Sequence, residues 1–266
     1  MKRAFLILLL ALPARSVPLS TWTVVAADAR TGDVGVAGAS CVDAFVDAIA
    51  VLVPGRGAGV AQALWDHDNR DKVFELLLAG LPADAILRQM TDKAYDSGVQ
   101  DRQYGIVTIK DGKALAQGFT GTDAFNWAGS RQDPSRAVTV QGNILEGPDV
   151  VGNALKAFQA ESNLPEALMR GLEAGSAAGG DQRCNNSRTR QTASAAFILV
   201  AHGGDAPYAA KDIGVSDEGK PGAPWLALSL RQPRFGANPV QALRKKFDEW
   251  KKTQAAEAAR ASGKNY

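Results

Sequence analysis

The chain has 266 residues, 45% of them hydrophobic, which is enough for one large core or two small ones. Its 30 basic residues nearly balance 28 acidic ones, so no electrostatic footprint for a nucleic acid or an acidic polymer is present. No Pro/Ser-rich linker divides the chain, and one domain over 21–254 is expected, followed by a frayed tail at 255–266.

The first twenty residues have the zones of a secretory leader: Lys2 and Arg3, an apolar run from Ala4 to Ala14, then a short polar stretch. The run falls short of the ~20 residues needed to span a bilayer. Ala14 and Ser16 fit the small-residue cleavage pattern, and the cut is expected between 16 and 20. The product is then periplasmic or extracellular, with no stable membrane association once the leader is gone.

Thr21 to Ala27 is β-branched, small and aromatic, and Asp28 to Gly32 supplies turn chemistry, which predicts a strand and a hairpin. The return strand, Val34 to Ser40, is built from Val, Ala and Gly and should lie very close to its neighbours. Ala48 to Val53 and Gly59 to Ala63 are further strands, joined at Pro54-Gly55-Arg56-Gly57. From Asn69, the spacing of Val73, Phe74, Leu77 and Leu78 predicts a helix stopped by Gly80, and Pro82 opens a second one carrying Ile86, Leu87 and Met90. Gln103 to Ile109 and Lys113 to Phe119 form a hairpin turned at Asp111-Gly112. Ala137 to Gln141 is a strand. A helix follows from Pro148 to about Ala160, then another from Leu164 to Ala174, opened by Pro165 and closed by Gly175. Ala193 to Ala201 and Trp225 to Arg231 are the last strands, separated by a polar Gly/Pro-rich excursion. Val240, Leu243, Phe247 and Trp250 then mark one face of a C-terminal docking helix. Blocks of strands and helix pairs in this order predict an α+β fold of two antiparallel sheets covered by helices, against a doubly wound one.

Cys41 and Cys184 are the only cysteines, and in an oxidising compartment a single disulfide is the natural pairing; two separate buried thiols are the alternative. The two histidines, His67 and His202, have no partner at metal-ligand spacing, and Trp65-Asp66-His67-Asp68 reads as a hydrogen-bonded loop and not as a metal site. No serine elbow, P-loop or dinucleotide fingerprint is present, so no motif implies a cofactor. The position of Thr21 is different in kind. If it becomes the first residue, its hydroxyl is a nucleophile and its own α-amine, with an ordinary pKa of about 7.7–8.0, is a general base, so no histidine is required. The alternative is an ordinary strand residue behind a few untrimmed ones.

Six segments carry a resemblance: Thr21 to Ala26, Thr31 to Ala37, Gly57 to Val60 with Gln62, Arg102-Gln103-Tyr104-Gly105, Gln141 to Leu145, and Ala178-Gly179-Gly180-Asp181. In this order and spacing the chain resembles the bacterial domain-of-unknown-function 1028 family, grouped with the N-terminal nucleophile hydrolases. The resemblance implies a four-layer αββα sandwich and an N-terminal threonine at Thr21. It also implies that Thr23 and Ser40 orient the amine, that the Asn143 amide and a backbone N–H such as that of Gly142 receive the oxyanion, and that Asp181 holds a cationic or amine group. Gln62, Arg102 and Gln103 join Gly142 as substrate-binding candidates, or else form a buried polar network tying the sheets together. Many relatives carry a lysine after the serine of the second strand; this chain has Cys41 there, which leaves Arg102 as the replacement cation or the site weakened.

The function expected is an exported amidohydrolase or peptidase-like enzyme acting on a small linear amide or peptide. The rival is a non-catalytic periplasmic binding or accessory protein, and a third reading makes residues 17 to 20 a short self-processed propeptide. A homo-oligomer is compatible with all three.

Overall fold

The computed structural model describes residues 18, 19, 21–210 and 213–261. The expected leader lies outside the described residues except for 18 and 19, as do the last five residues of the tail. The strands form two six-stranded antiparallel sheets. The first contains β1 (Pro18–Leu19), β4 (Ala50–Val53), β5 (Gly57–Leu64), β6 (Arg102–Lys110), β7 (Lys113–Thr120) and β11 (Tyr208–Ala209), in the order β11-β4-β5-β6-β7 with β1 paired to β5. The second contains β2 (Thr21–Ala27), β3 (Val34–Ser40), β8 (Gly129–Asp133), β9 (Val138–Gly142), β10 (Ala195–Ala201) and β12 (Leu226–Arg231), in the order β12-β10-β3-β2-β9-β8. Five α-helices are described: α1 (His67–Leu78), α2 (Ala83–Met90), α3 (Pro148–Gln159), α4 (Leu164–Ala177) and α5 (Pro239–Ala261). None is long and apolar enough to cross a membrane.

β2 and β3 have the limits expected, and every residue in both is buried. The small residues of β3 are explained by what lies against them. A Cβ on Gly38 would stand 2.6 Å from the Phe197 ring, and one on Gly35 would stand 2.5 Å from Leu168 Cδ1. The β6–β7 hairpin closes on Asp111 and Gly112, at φ 52° and 70°, the two left-handed positions of a type I′ turn.

The core falls into three clusters. Trp22, Val24 and Ala26 face α3 and α4 with Leu168, Leu172 and Phe158. The alternate residues, Val25 and Ala27, join Val36, Leu52, Val60 and Phe197 in a second cluster drawn from both sheets. The third gathers Val51, Ala61, Tyr104 and Ile106 with Val73, Leu77, Ile86 and Met90 of α1 and α2. Period-two alternation thus gives each central strand two different buried faces.

Four differences from the sequence reading have physical causes. The Trp65-to-Asp68 segment is a hydrogen-bonded loop only as far as Asp66, which caps α1 by accepting from the Asp68 N–H at 2.8 Å, so the helix starts at His67 instead of near Asn69. Leu78, expected on the buried face of that helix, is exposed. Gly175 does not close α4. The helix continues to Ala177, and Gly175 is there because a Cβ would meet Trp22 Nε1 at 2.6 Å; Gly179 and Gly180, at positive φ, make the exit. β8 carries Ser, Arg, Gln and Asp at a sheet edge and has no apolar alternation by which it could have been read.

Val240, Leu243 and Phe247 of α5 are buried as their spacing required, and Trp250 packs partly buried beside them. Arg244 ties α5 to α4 through Glu173 at 2.7 Å and Glu166 at 2.9 Å. The helix runs on through 255–261.

Candidate active site

Thr21 opens β2 in the middle of the second sheet, with Ser40 of β3 opposite it and Asn143 just past the end of β9. It is fully buried. Its backbone N–H donates to Asn143 Oδ1 at 3.3 Å, and the Asn143 N–H donates back to the Thr21 carbonyl at 3.2 Å. Asn143 therefore addresses both backbone groups of the threonine.

Alternation sends Thr23 to the same side as Thr21, toward the first sheet, where a network of buried amides and hydroxyls waits. Thr23 Oγ1 donates to Gln62 Oε1 at 2.8 Å, and Gln62 Nε2 donates to the Thr21 carbonyl at 3.1 Å and to Gln103 Oε1 at 2.8 Å. Gln103 Nε2 in turn donates to Thr120 Oγ1 and the Gly142 carbonyl, each at 2.9 Å. Gln141 Nε2 donates to Thr23 Oγ1 at 2.5 Å while its Oε1 accepts from Thr139 at 2.9 Å. Gly105 makes room for this: a Cβ there would sit 2.1 Å from Gln141 Oε1. Gln62, Gln103, Gln141, Thr23 and Thr139 are all fully or almost fully buried, so each hydrogen bond replaces one lost to water.

Cys41 and Cys184 are disulfide-bonded, with Cα atoms 5.6 Å apart across 143 residues of sequence. The bridge fastens the end of β3 to the segment carrying Asp181. That carboxylate is buried. Its Oδ2 accepts from the Cys41 N–H at 2.8 Å and from Arg183 Nη2 at 2.8 Å, and its Oδ1 from Arg183 Nε at 3.1 Å. The cation held by Asp181 in this structure is thus the protein's own Arg183.

The structure brings Thr21, Thr23, Ser40, Gln62, Gln103, Gly142 and Asn143 together at one end of the two sheets. It does not bring Arg102 there. Arg102 precedes Gln103 by one residue and so leaves β6 on the face shared with Tyr104, toward α1 and α2. Its guanidinium is bound by Asp96 at 2.7 Å and by the Leu64 carbonyl, with Asp66 at 3.9 Å. Burial is the largest single effect and opposes its charge, but the Asp96 hydrogen bond together with the charges of Asp96, Tyr104 and Asp66 outweighs it and holds its pKa above the ordinary value. Arg102 is therefore engaged away from Thr21, whereas Arg183 reaches the end of β3 through Asp181. Arg183 and Thr139 are further site residues that the sequence reading does not pick out, and Gln141 enters it only as a strand end and the first residue of a resembling segment. The signal for the last two is polar residues at i and i+2 of an otherwise apolar strand, the same signal given by Thr21 and Thr23. Among the described residues no group of three or more His, Cys, Asp or Glu is disposed to hold a metal ion.

The sequence matches the Family of unknown function (DUF1028) over residues 21–223. No curated protein matches it. Among solved structures, it is similar to the crystal structure of protein SPO2555 from Silicibacter pomeroyi, of the same family, with a TM-score of 0.64 and 21% identity over 86% of this chain and 85% of that one. At that identity the likeness speaks for the fold alone. With three quarters of its length inside the matched region, opening at Thr21 itself, the chain belongs to the DUF1028 family.

Proposed function

We propose that the chain is an exported N-terminal-nucleophile hydrolase that cleaves a small linear amide once removal of residues 1–20 makes Thr21 the first residue. One observation carries the reading. The family region and the central strand both begin at Thr21, whose backbone nitrogen lies 3.3 Å from Asn143 Oδ1, where a free α-amine would be held. The four-layer αββα arrangement belongs to the same proposal and is supported by the packing of α1 and α2 on one sheet and of α3, α4 and α5 on the other.

In this reading Thr21 Oγ attacks the amide carbonyl carbon while the α-amine takes the hydroxyl proton. The carbonyl π pair moves to oxygen, and the oxyanion is received by donors at the end of β9, with the Asn143 side-chain amide as candidate. Collapse breaks the C–N bond, and the leaving amine takes the proton from the α-ammonium. Water then attacks the threonyl ester with the α-amine again as base, releasing the acid and restoring the hydroxyl. Ser40, opposite Thr21, and Thr23, fixed between Gln62 and Gln141, keep the end of the strand in register. The Asp181–Arg183 ion pair, neutral as a unit, fixes the Cys41 N–H at the position where relatives carry lysine.

A second reading, a non-catalytic binding protein on the same fold, is favoured by one feature: Pro18–Leu19 pairs with Leu64 and Ala63 of β5, so in the full chain Thr21 follows an ordered strand. N-terminal sequencing with intact mass of the exported protein separates the two. A mature chain that starts at Thr21 and hydrolyses amides supports the enzyme; one that starts at or before Val17 and stays there overturns it.

A further inference from the structure

One rung of the second sheet crosses four strands at the threonine end. Arg231 stands opposite Ala195, Ala195 opposite Ser40, and Ser40 opposite Thr21. Residues opposed in antiparallel pairs project from one face, so Arg231 shares the face of Thr21 and Ser40. Three strand spacings of about 4.8 Å separate the Arg231 and Thr21 Cα atoms by about 14 Å. The Arg231 side chain leans back toward β3: its Nη1 donates to the Asp43 carbonyl at 3.2 Å, and its guanidinium lies 4.8 Å from the Phe45 ring centroid.

A cavity of about 630 Å³ opens at the Arg231 end of this rung, bounded by Cys41, Asp43, Ser194, Arg231 and Arg234, with Ser40 and Thr21 buried beyond its lining. Its volume suits a small molecule. Two guanidinium groups stand there against one carboxylate, and that carboxylate is a weak competitor. Asp43 is fully exposed and meets Arg231 only at 3.4 Å. Arg234 donates to the Arg183 carbonyl at 2.9 Å, while Arg183 itself is neutralised by Asp181.

We propose that this cavity is a subsite for an organic carboxylate, with Arg231 as its principal ligand and Arg234 as the second, so that the amide cleaved at Thr21 carries a carboxylate several bonds from the scissile carbonyl. The planar guanidinium fork fits a carboxylate in two parallel hydrogen bonds, which a neutral carboxamide of the same shape cannot accept equally. The assignment of this anion as substrate rests on the threonine reading above; the binding of the anion does not.

The test is calorimetric titration of the full chain with glutarate, with the isosteric neutral glutaramide, and with inorganic phosphate. Glutarate should bind about tenfold tighter than glutaramide. Arg231→Gln should abolish that preference, Asp43→Asn should strengthen it, and Thr21→Ala should leave it unchanged. Equal affinity for glutarate and glutaramide, a preference untouched by Arg231→Gln with the fold intact by circular dichroism, or phosphate binding as tight as glutarate would overturn the subsite. If Thr21-dependent amide hydrolysis is found but is indifferent to a substrate carboxylate, the subsite fails and the nucleophile stands. If the glutarate preference is as stated and no amide is cleaved, the nucleophile fails and the carboxylate site stands.

Discussion

At the scale of single residues, Thr21 and Asp47 make the sharpest predictions. Thr21→Ala removes one hydroxyl and one methyl from a fully buried position and leaves both backbone hydrogen bonds to Asn143 in place. The variant should fold, with a loss of about 1–2 kcal/mol, and should show no amide hydrolysis, whereas Thr21→Ser should keep a measurable rate. Asp47 is buried ahead of β4, and burial pushes its carboxyl up to about 7, with the nearby Asp217 adding to the effect. Between the ordinary 3.8 and about 7 the folded protein binds more protons at this site than the unfolded chain does. Stability contributed by the protonated form is therefore lost as pH rises through that window, by up to about 4 kcal/mol. Asp47→Asn should flatten the dependence and raise stability at pH 8, measured by urea unfolding at pH 4, 6 and 8.

At the scale of elements, close contact decides which residues each element tolerates. Gly175 is an interior helix position, where alanine would ordinarily help by about 1 kcal/mol. Here the added methyl would press on Trp22 at 2.6 Å, so Gly175→Ala should instead destabilise by about 1–3 kcal/mol, read from the urea midpoint at unchanged slope. Gly105→Ala should act differently, through chemistry and not packing alone. Its methyl would take the space of the Gln141 amide, leaving Thr23 and Thr139 short of a partner between the sheets. A loss of about 2–4 kcal/mol is expected by the same measurement.

At the scale of the whole molecule, the disulfide joins positions 143 residues apart and fastens the Asp181 segment to the end of β3. Cys41→Ser combined with Cys184→Ser should cost about 2–5 kcal/mol, seen as a lowered thermal midpoint, with the largest gain in hydrogen exchange around 181–191. Stability and site geometry are coupled here: the same loop that gains freedom carries Asp181 and Arg183, so any activity dependent on Thr21 should fall with it.

The sequence by itself determined the local elements whose signals are short-range: the limits of β2 and β3, the Asp111-Gly112 hairpin and the buried face of α5 all follow from alternation, turn chemistry and helical spacing within about a dozen residues. It made a bridge between its two cysteines the natural pairing, and the structure joins them. Only the tertiary structure decided which face each polar residue occupies. Gln103 points between the sheets and Arg102, its neighbour, points away, because one step along a strand reverses direction and nothing in the sequence says which side meets the other sheet. It alone decided that Gly175 lies inside a helix, since the reason is a tryptophan 153 positions earlier. It alone assembled Arg231, Ser40 and Thr21 on one rung, because strand order is fixed by the burial of three cores together and by no single segment.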